Sequence, residues 1–173
     1  MLEQPNAFDA AALKPAQKAA LVKFWEAWQD TLATVRIVDP ACGSGAFLIE
    51  AFEQLYAIYR QSIGHLTELR GPFLFEIDRQ ILQANLFGVD LNEEAVDICR
   101  LSLWIKTAQL GKVLTSLDNN IKVGNSVVAD PVVHPRALDW PTAFPDAFAA
   151  GGFDVVLGNP PYVRQEWIAA YKP

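Results

Sequence analysis

The sharpest chemical signal in the sequence is the string Asn159-Pro160-Pro161-Tyr162. Two consecutive prolines cannot continue a strand ladder or donate backbone hydrogen bonds, so they fix a rigid, exposed loop. On such a loop the side-chain oxygen of Asn159 and the carbonyl of Pro160 can both accept hydrogen bonds from one exocyclic amine. Those bonds draw the amine lone pair out of conjugation with its ring and free it to attack an electrophilic carbon. Tyr162 adds a face on which a planar base can stack. No strong general base is needed when the leaving group is good, because positioning and polarisation then carry the rate. Standing alone, the same tetrapeptide would read as a turn that ends a strand.

A second string, Asp39-Pro40-Ala41-Cys42-Gly43-Ser44-Gly45, has the glycine spacing of a ligand-binding turn. Gly43 and Gly45 permit backbone angles closed to other residues and let the main chain approach a ligand closely. A dinucleotide turn needs a third glycine three residues on, where this sequence has Leu48. The lysine of a phosphate loop is also missing. The turn therefore suits a ligand without phosphates better than a pyrophosphate, with an ordinary strand-to-helix turn as the alternative. Asp90 ends the next candidate strand, where a carboxylate can accept from both ribose hydroxyls of an adenosine. Read by itself it could equally be a capping or solvated aspartate. Asp90 follows Asp39 at a greater distance than the ~20 residues of the dinucleotide pattern, and a candidate helix between them accounts for the excess. Gly124-Asn125-Ser126 is a weaker signal, because such triplets are common in turns.

The elements that must carry these residues alternate in type. Residues 16–32 read as an amphipathic helix, with Leu21, Phe24, Trp28 and Leu32 on one face and Pro15 in its first turn. Residues 34–39 read as a buried strand, the glycine turn follows, and residues 47–59 read as a helix through Leu48, Phe52, Leu55 and Tyr59. Residues 61–71 look like a loop, and Pro72 can open a helix that runs to about Ala84. Residues 86–90 form the second strand, and Asn92 caps a helix over 93–108 whose early acids, Glu93 and Glu94, suit its positive end. Residues 121–123 are a short strand, 127–152 a proline-rich connection with room for a turn of helix, and 153–158 the last strand.

Strands alternating with helices imply a parallel sheet with right-handed crossovers, an α/β fold of the Rossmann-like kind. In such sheets ligands bind at the carboxyl ends of the strands. All four strings fall there.

The 173 residues are enough for one domain with a real core. No apolar run reaches the ~18 residues of a membrane helix. Cys42 and Cys99 form no disulfide framework or metal cluster, and His65 and His134 are isolated, so no metal is expected and a reducing cytoplasm fits. The net charge of −6, from 14 basic and 20 acidic residues, offers no clustered Lys and Arg for phosphate contacts. Any nucleic-acid partner would have to be gripped mainly elsewhere.

Taken together, the strings resemble the amino-specific (adenine) DNA methyltransferase family, in the group whose cofactor motifs precede the catalytic loop. The likeness is nearest to type II restriction-modification methylases that can join methylation and cleavage in one polypeptide. It covers about residues 35 to 164 and implies a Rossmann-like methyltransferase fold that uses S-adenosyl-L-methionine. By this resemblance Asp39, Pro40, Ala41, Cys42, Gly43 and Gly45 surround the methionine part of the cofactor, with Phe47 alongside. Asp90 holds the ribose, Leu91 covers the adenine, and Asn125 and Ser126 meet the adenine edge. Asn159, Pro160, Pro161 and Tyr162 receive an adenine flipped from double-stranded DNA and present its 6-amino group to the methyl donor. A serine in place of Asn159 would instead have pointed to the amine of cytosine.

The family fold has more strands than the four read here and then a target-recognition region, so the sequence reads as a truncated methyltransferase. Residues 1–33 would be an N-terminal helical segment and 34–173 the cofactor-binding and catalytic-loop part. Alone, it is expected to be inactive, to bind DNA weakly or not at all, and to self-associate through an exposed sheet edge. The cell would be bacterial or archaeal. Two other functions remain open: methylation of a protein glutamine or an RNA base, and a non-catalytic nucleoside-binding module. Against the first stands the Asp39-to-Gly45 string, since glutamine enzymes favour a threonine-bearing turn. Against the second stand the intact motifs.

Overall fold

The computed structural model describes residues 12–108 and 116–159. Helix α1 spans Pro15–Thr34, strand β1 Ile37–Asp39 and helix α2 Ala46–Arg70. Helix α3, Ile77–Gln80, passes into a π-helical turn at Ile81–Asn85 and then strand β2, Leu86–Asp90. Helix α4 is Glu93–Thr107 and strand β3 Ile121–Val123; short helices α5, Trp140–Ala143, and α6, Pro145–Ala149, precede strand β4, Val155–Val156.

The sheet is parallel throughout, in the order β3-β2-β1-β4. Ile37 pairs with Leu86 on one side and with Val155 on the other. The chain thus steps outward from β1 to β2 to β3, then returns across the sheet to place β4 against the free side of β1. That reversal is the switch point where open α/β sheets bind ligands.

Alternation along β2 divides the core. Leu86 packs with Leu48, Phe52, Leu55, Val96, Cys99 and Leu103 of α2 and α4 on one face. Val89 and Phe87 turn to the other face, against Leu138, Phe144 and Phe153. Strand side chains alternate between faces, so a five-residue strand buried on both sides needs apolar residues at nearly every position.

Four expectations change in detail. The helix expected to end near Tyr59 runs on to Arg70, and the expected loop over 61–71 is its second half. Ser62, Leu66 and Leu69 continue the buried stripe, and Gly64 is tolerated on the outer side, where an added Cβ would meet nothing. The helix stops at Gly71, whose φ of 88° is open to glycine. Second, the helix expected from Pro72 forms only from Ile77 and ends in the wider turn. That turn carries the buried Asn85, whose amide donates to the carbonyls of Leu32 (2.8 Å) and Val35 (2.7 Å) while its oxygen accepts from Tyr59. These bonds fasten the end of α1 to the start of β2.

Third, the packed face of α1 is rotated from the expected one. Phe24 and Trp28 are exposed, whereas Leu32 and Gln29 are buried. Gln29 donates to Ser62 Oγ across the α1–α2 seam (3.1 Å), and Trp25 stacks on His65 at 4.4 Å. A polar pair and a ring stack, which hydrophobic spacing does not register, set the rotation. Strands β1 and β4 are also shorter than expected. Helix α1 consumes Thr34, and β4 narrows to two residues, although Leu157 N–H still donates to Val38 O (2.8 Å).

Candidate active site

The carboxyl ends of the four strands meet at one edge of the sheet, and short hydrogen bonds join them. Gly43 N–H donates to Asp90 Oδ2 (2.8 Å), tying the turn after β1 to the end of β2. Cys42 N–H donates to Val89 O (2.9 Å) and Gly124 N–H to Asp90 O (2.8 Å), bringing the turn after β3 alongside. On the other side, an added Cβ on Gly158 would stand 3.2 Å from Asp39 Oδ1, so the chain entering Asn159 lies directly against that carboxylate. Asn159 itself is exposed, three residues beyond the end of β4. Pro160, Pro161 and Tyr162 lie outside the described residues.

The two glycines of the turn do different work. Gly43, at φ 51°, has open space where a Cβ would be, so its requirement is conformational. Gly45, at φ 90°, has Cys99 Sγ only 2.6 Å from that position, so a side chain would also wedge α2 away from α4. Leu48 is fully buried, which leaves its place in the pattern to core packing.

Cys42 points its thiol into the core. The neighbouring Cys99 thiol and burial push its pKa far above the ordinary range, so it is a protonated, inert thiol. Only the main chain of Cys42 can face a ligand. Pro40 and Ala41 are half-buried at the turn's start.

Asp39 is fully buried. Its Oδ1 accepts from Ala41 N–H (3.0 Å), but its Oδ2 accepts no hydrogen bond among the described residues. Burial raises its pKa, and the charge of Asp90 raises it further, against the Ala41 N–H that lowers it. A buried carboxylate with an unused oxygen is costly and would be relieved by a cationic donor.

Asp90 is half-buried, accepting from Gly43 through Oδ2 and from Asn92 N–H through Oδ1 (2.9 Å). A carboxylate has about four lone-pair sites, so each oxygen retains capacity for a further donor. Asn92 also caps α4 as expected, its side chain accepting from Ala95 N–H (2.9 Å).

Leu91 and Phe47 stand at the mouth of this edge, 45% and 47% exposed, as apolar groups without cover. Asn125 and Ser126 follow β3. Asn125 Oδ1 accepts from Val127 N–H (3.1 Å), and Ser126 O accepts from the indole N–H of Trp140 (3.0 Å). The proline-rich stretch gave no signal for Trp140 as a partner of this corner, since a lone Trp heading a four-residue helix has no periodic pattern. Among the described residues no group of three or more His, Cys, Asp or Glu could hold a metal ion, and no helix is long and apolar enough to cross a membrane.

A parallel sheet in the order β3-β2-β1-β4, with a glycine turn after β1 and an acid closing β2, is the Rossmann-like fold of the methyltransferases. The chain belongs to the Eco57I restriction-modification methylase family, whose model matches residues 84–172. A second model, the RMKL-like methyltransferase domain, matches residues 5–127. The chain is 32% identical over 155 residues to the type II restriction enzyme and methyltransferase RM.Eco57I of Escherichia coli, covering 80% of this chain and 15% of that protein. It is 30% identical over 142 residues to DNA methyltransferase A of Bacillus subtilis, covering 76% of this chain and 15% of the relative. The adenine-specific methyltransferase BrxX of Escherichia coli is 33% identical over 76 residues, 44% of this chain and 6% of that protein. The chain thus spans about 15% of the length of the first two relatives.

Proposed function

We propose that this chain forms the cofactor pocket, and contributes the target-amine loop, of an enzyme that methylates the 6-amino group of adenine in DNA within a restriction-modification system. The methyl donor is S-adenosyl-L-methionine. The observation that carries the reading is the buried Asp39 with one unpartnered oxygen, set between the glycine turn and the chain entering Asn159. The names of the relatives, adenine-specific and DNA methyltransferases among them, support the same substrate.

Each residue then has a physical task. Asp39 Oδ2 accepts from the α-ammonium of the methionine part, which offsets the burial of its charge. The backbone of Pro40, Ala41, Cys42 and Gly43 lies along the methionine part. Gly45 lets α2 begin there without a side chain striking Cys99. Phe47 flanks the ligand. Asp90 accepts from the ribose hydroxyls on the lone pairs left by Gly43 and Asn92. Leu91 covers one face of the adenine, and Asn125 and Ser126 border its edge.

When bound, the cofactor supplies a methyl group on a sulfonium, an electrophile with a neutral leaving group. Asn159 and the Pro160 carbonyl accept from the target amine and aim its lone pair. Tyr162 stacks the flipped base, and Pro161 stiffens the loop. Gly158, where an added Cβ would stand 3.2 Å from Asp39 Oδ1, leads the chain from beside the residue assigned to the cofactor into Asn159, assigned to the amine.

Double-stranded DNA is the partner of the whole protein, with most phosphate contacts outside this acidic segment, and the setting is a bacterial or archaeal cytoplasm. By itself the segment is inactive and binds DNA weakly. It self-associates through the outer edge of β4, where Val155 and Val156 are exposed.

Isothermal titration with S-adenosylhomocysteine and with NAD tests the cofactor assignment. Binding of the former alone is expected; tighter binding of NAD would reject it. For the substrate, transfer of a tritiated methyl group by the longer protein should go to adenine-containing duplexes and not to RNA or glutamine peptides.

A further inference from the structure

The segment after β3 doubles back and closes over the outer end of the site. Asn125 N–H donates to Arg136 O (2.6 Å), Asn125 bridges to Ala137, and Leu138 N–H donates to Val128 O (2.8 Å). Gly124 is required beneath it, since an added Cβ would lie 2.6 Å from Leu138 Cδ1. The side chain of Arg136 then reaches to the end of β2. Its Nη1 donates to Leu91 O (2.8 Å), and its Nη2 meets Glu93 Oε2 (3.3 Å).

One residue therefore grips both walls of the outer site, Asn125 by its main chain and Leu91 by its side chain. We propose that Arg136 is a positioning residue that fixes the separation of Leu91 and Asn125 and so the width of the slot for the cofactor's adenine. This rests on the cofactor assignment made above.

The planar fork of an arginine can serve the Leu91 carbonyl and the Glu93 carboxylate together, whereas a lysine presents a single point charge. The Glu93 pair is solvent-exposed and contributes little by itself, so the bond to the Leu91 carbonyl is the functional one. Without it, the β2–α4 corner bearing Leu91 is free to drift from Asn125.

The test is titration of the protein and three variants with S-adenosylhomocysteine and with S-inosylhomocysteine, which differs only at the base. Arg136→Ala should weaken S-adenosylhomocysteine about tenfold, the loss of one charge-assisted hydrogen bond, and should reduce the preference for it over the inosine form. Arg136→Lys should fall between, and Glu93→Gln should stay near the unsubstituted protein. A general loss of structure would instead weaken both ligands in equal proportion and lower the melting temperature. That outcome, or Arg136→Ala binding with unchanged affinity and preference, would overturn the inference. Failure of the unsubstituted protein to bind either ligand would reject the cofactor assignment itself, and this inference with it.

Discussion

Oδ1 of Asp39 lies 3.2 Å from the point where a Cβ would stand on Gly158, so the strand leading into the glycine turn and the strand leading into Asn159 meet with backbone against carboxylate. A side chain at Gly158 would require the Asp39 carboxylate to give by a few tenths of an ångström. The two proposed halves of the reaction, holding the donor and aiming the amine, thus share a single contact.

Asp39 is built at a cost to stability. Its carboxyl is held above the ordinary value of 3.8, mainly by burial. The folded state therefore binds this proton more tightly than the unfolded chain, and stability falls as pH rises from near 3.8 through the raised value. Asp39→Asn should raise the melting temperature at neutral pH, with the gain shrinking toward zero as pH approaches the ordinary carboxyl value. The same substitution should weaken cofactor binding, because a neutral amide pairs poorly with an ammonium. Melting curves of both proteins across pH check the first part; a constant difference at every pH would contradict it.

Asp90 joins the ends of β1 and β2 through Gly43. Asp90→Ala should weaken S-adenosylhomocysteine by roughly 1–3 kcal/mol, the usual cost of a lost charge-assisted hydrogen bond. Some of that loss would come from freeing the glycine turn, so backbone amide exchange at Gly43 should accelerate. Titration calorimetry and hydrogen exchange on the variant measure the two effects separately.

Gly45→Ala carries two penalties, a side chain at φ 90° and a contact of 2.6 Å with Cys99 Sγ. Together these should destabilise the fold by about 2–4 kcal/mol. Adding Cys99→Ala should recover the steric part but not the backbone part. Denaturant unfolding of the two single variants and the double variant forms the required cycle, and full recovery in the double variant would mean that the backbone term is negligible.

In a methylase that contains this segment, Asn159→Ala should abolish methyl transfer while leaving cofactor affinity nearly unchanged, since its proposed contact is to the target amine. Tyr162→Ala should be milder, as stacking contributes roughly 1–3 kcal/mol per base. Single-turnover assays at saturating cofactor would read both, and normal turnover by the Asn159 variant would remove it from the mechanism.

What the sequence determined by itself was local. The β-branched run before Asp39 and the apolar run before Asp90 marked β1 and β2, Asn92 announced the start of α4, and Leu48 at the third glycine position disfavoured a pyrophosphate loop. Each of these signals sits within a few residues of its effect, where propensity, capping and backbone sterics act. The alternation of strands and helices was enough to place Asp39, Asp90, Asn125 and Asn159 at one edge of a parallel sheet. Tertiary structure decided the rest, because the deciding partners are distant in the chain. The buried Asn85 sets the π-helical turn by answering carbonyls at Leu32 and Val35, 50 or more residues earlier. The rotation of α1 depends on Ser62 and His65. Gly158 is constrained by Asp39, and Arg136 reaches Leu91 across a loop whose residues show no periodicity. A sequence pattern records which side of an element is apolar. It does not record which far-off carbonyl, carboxylate or thiol will be waiting there.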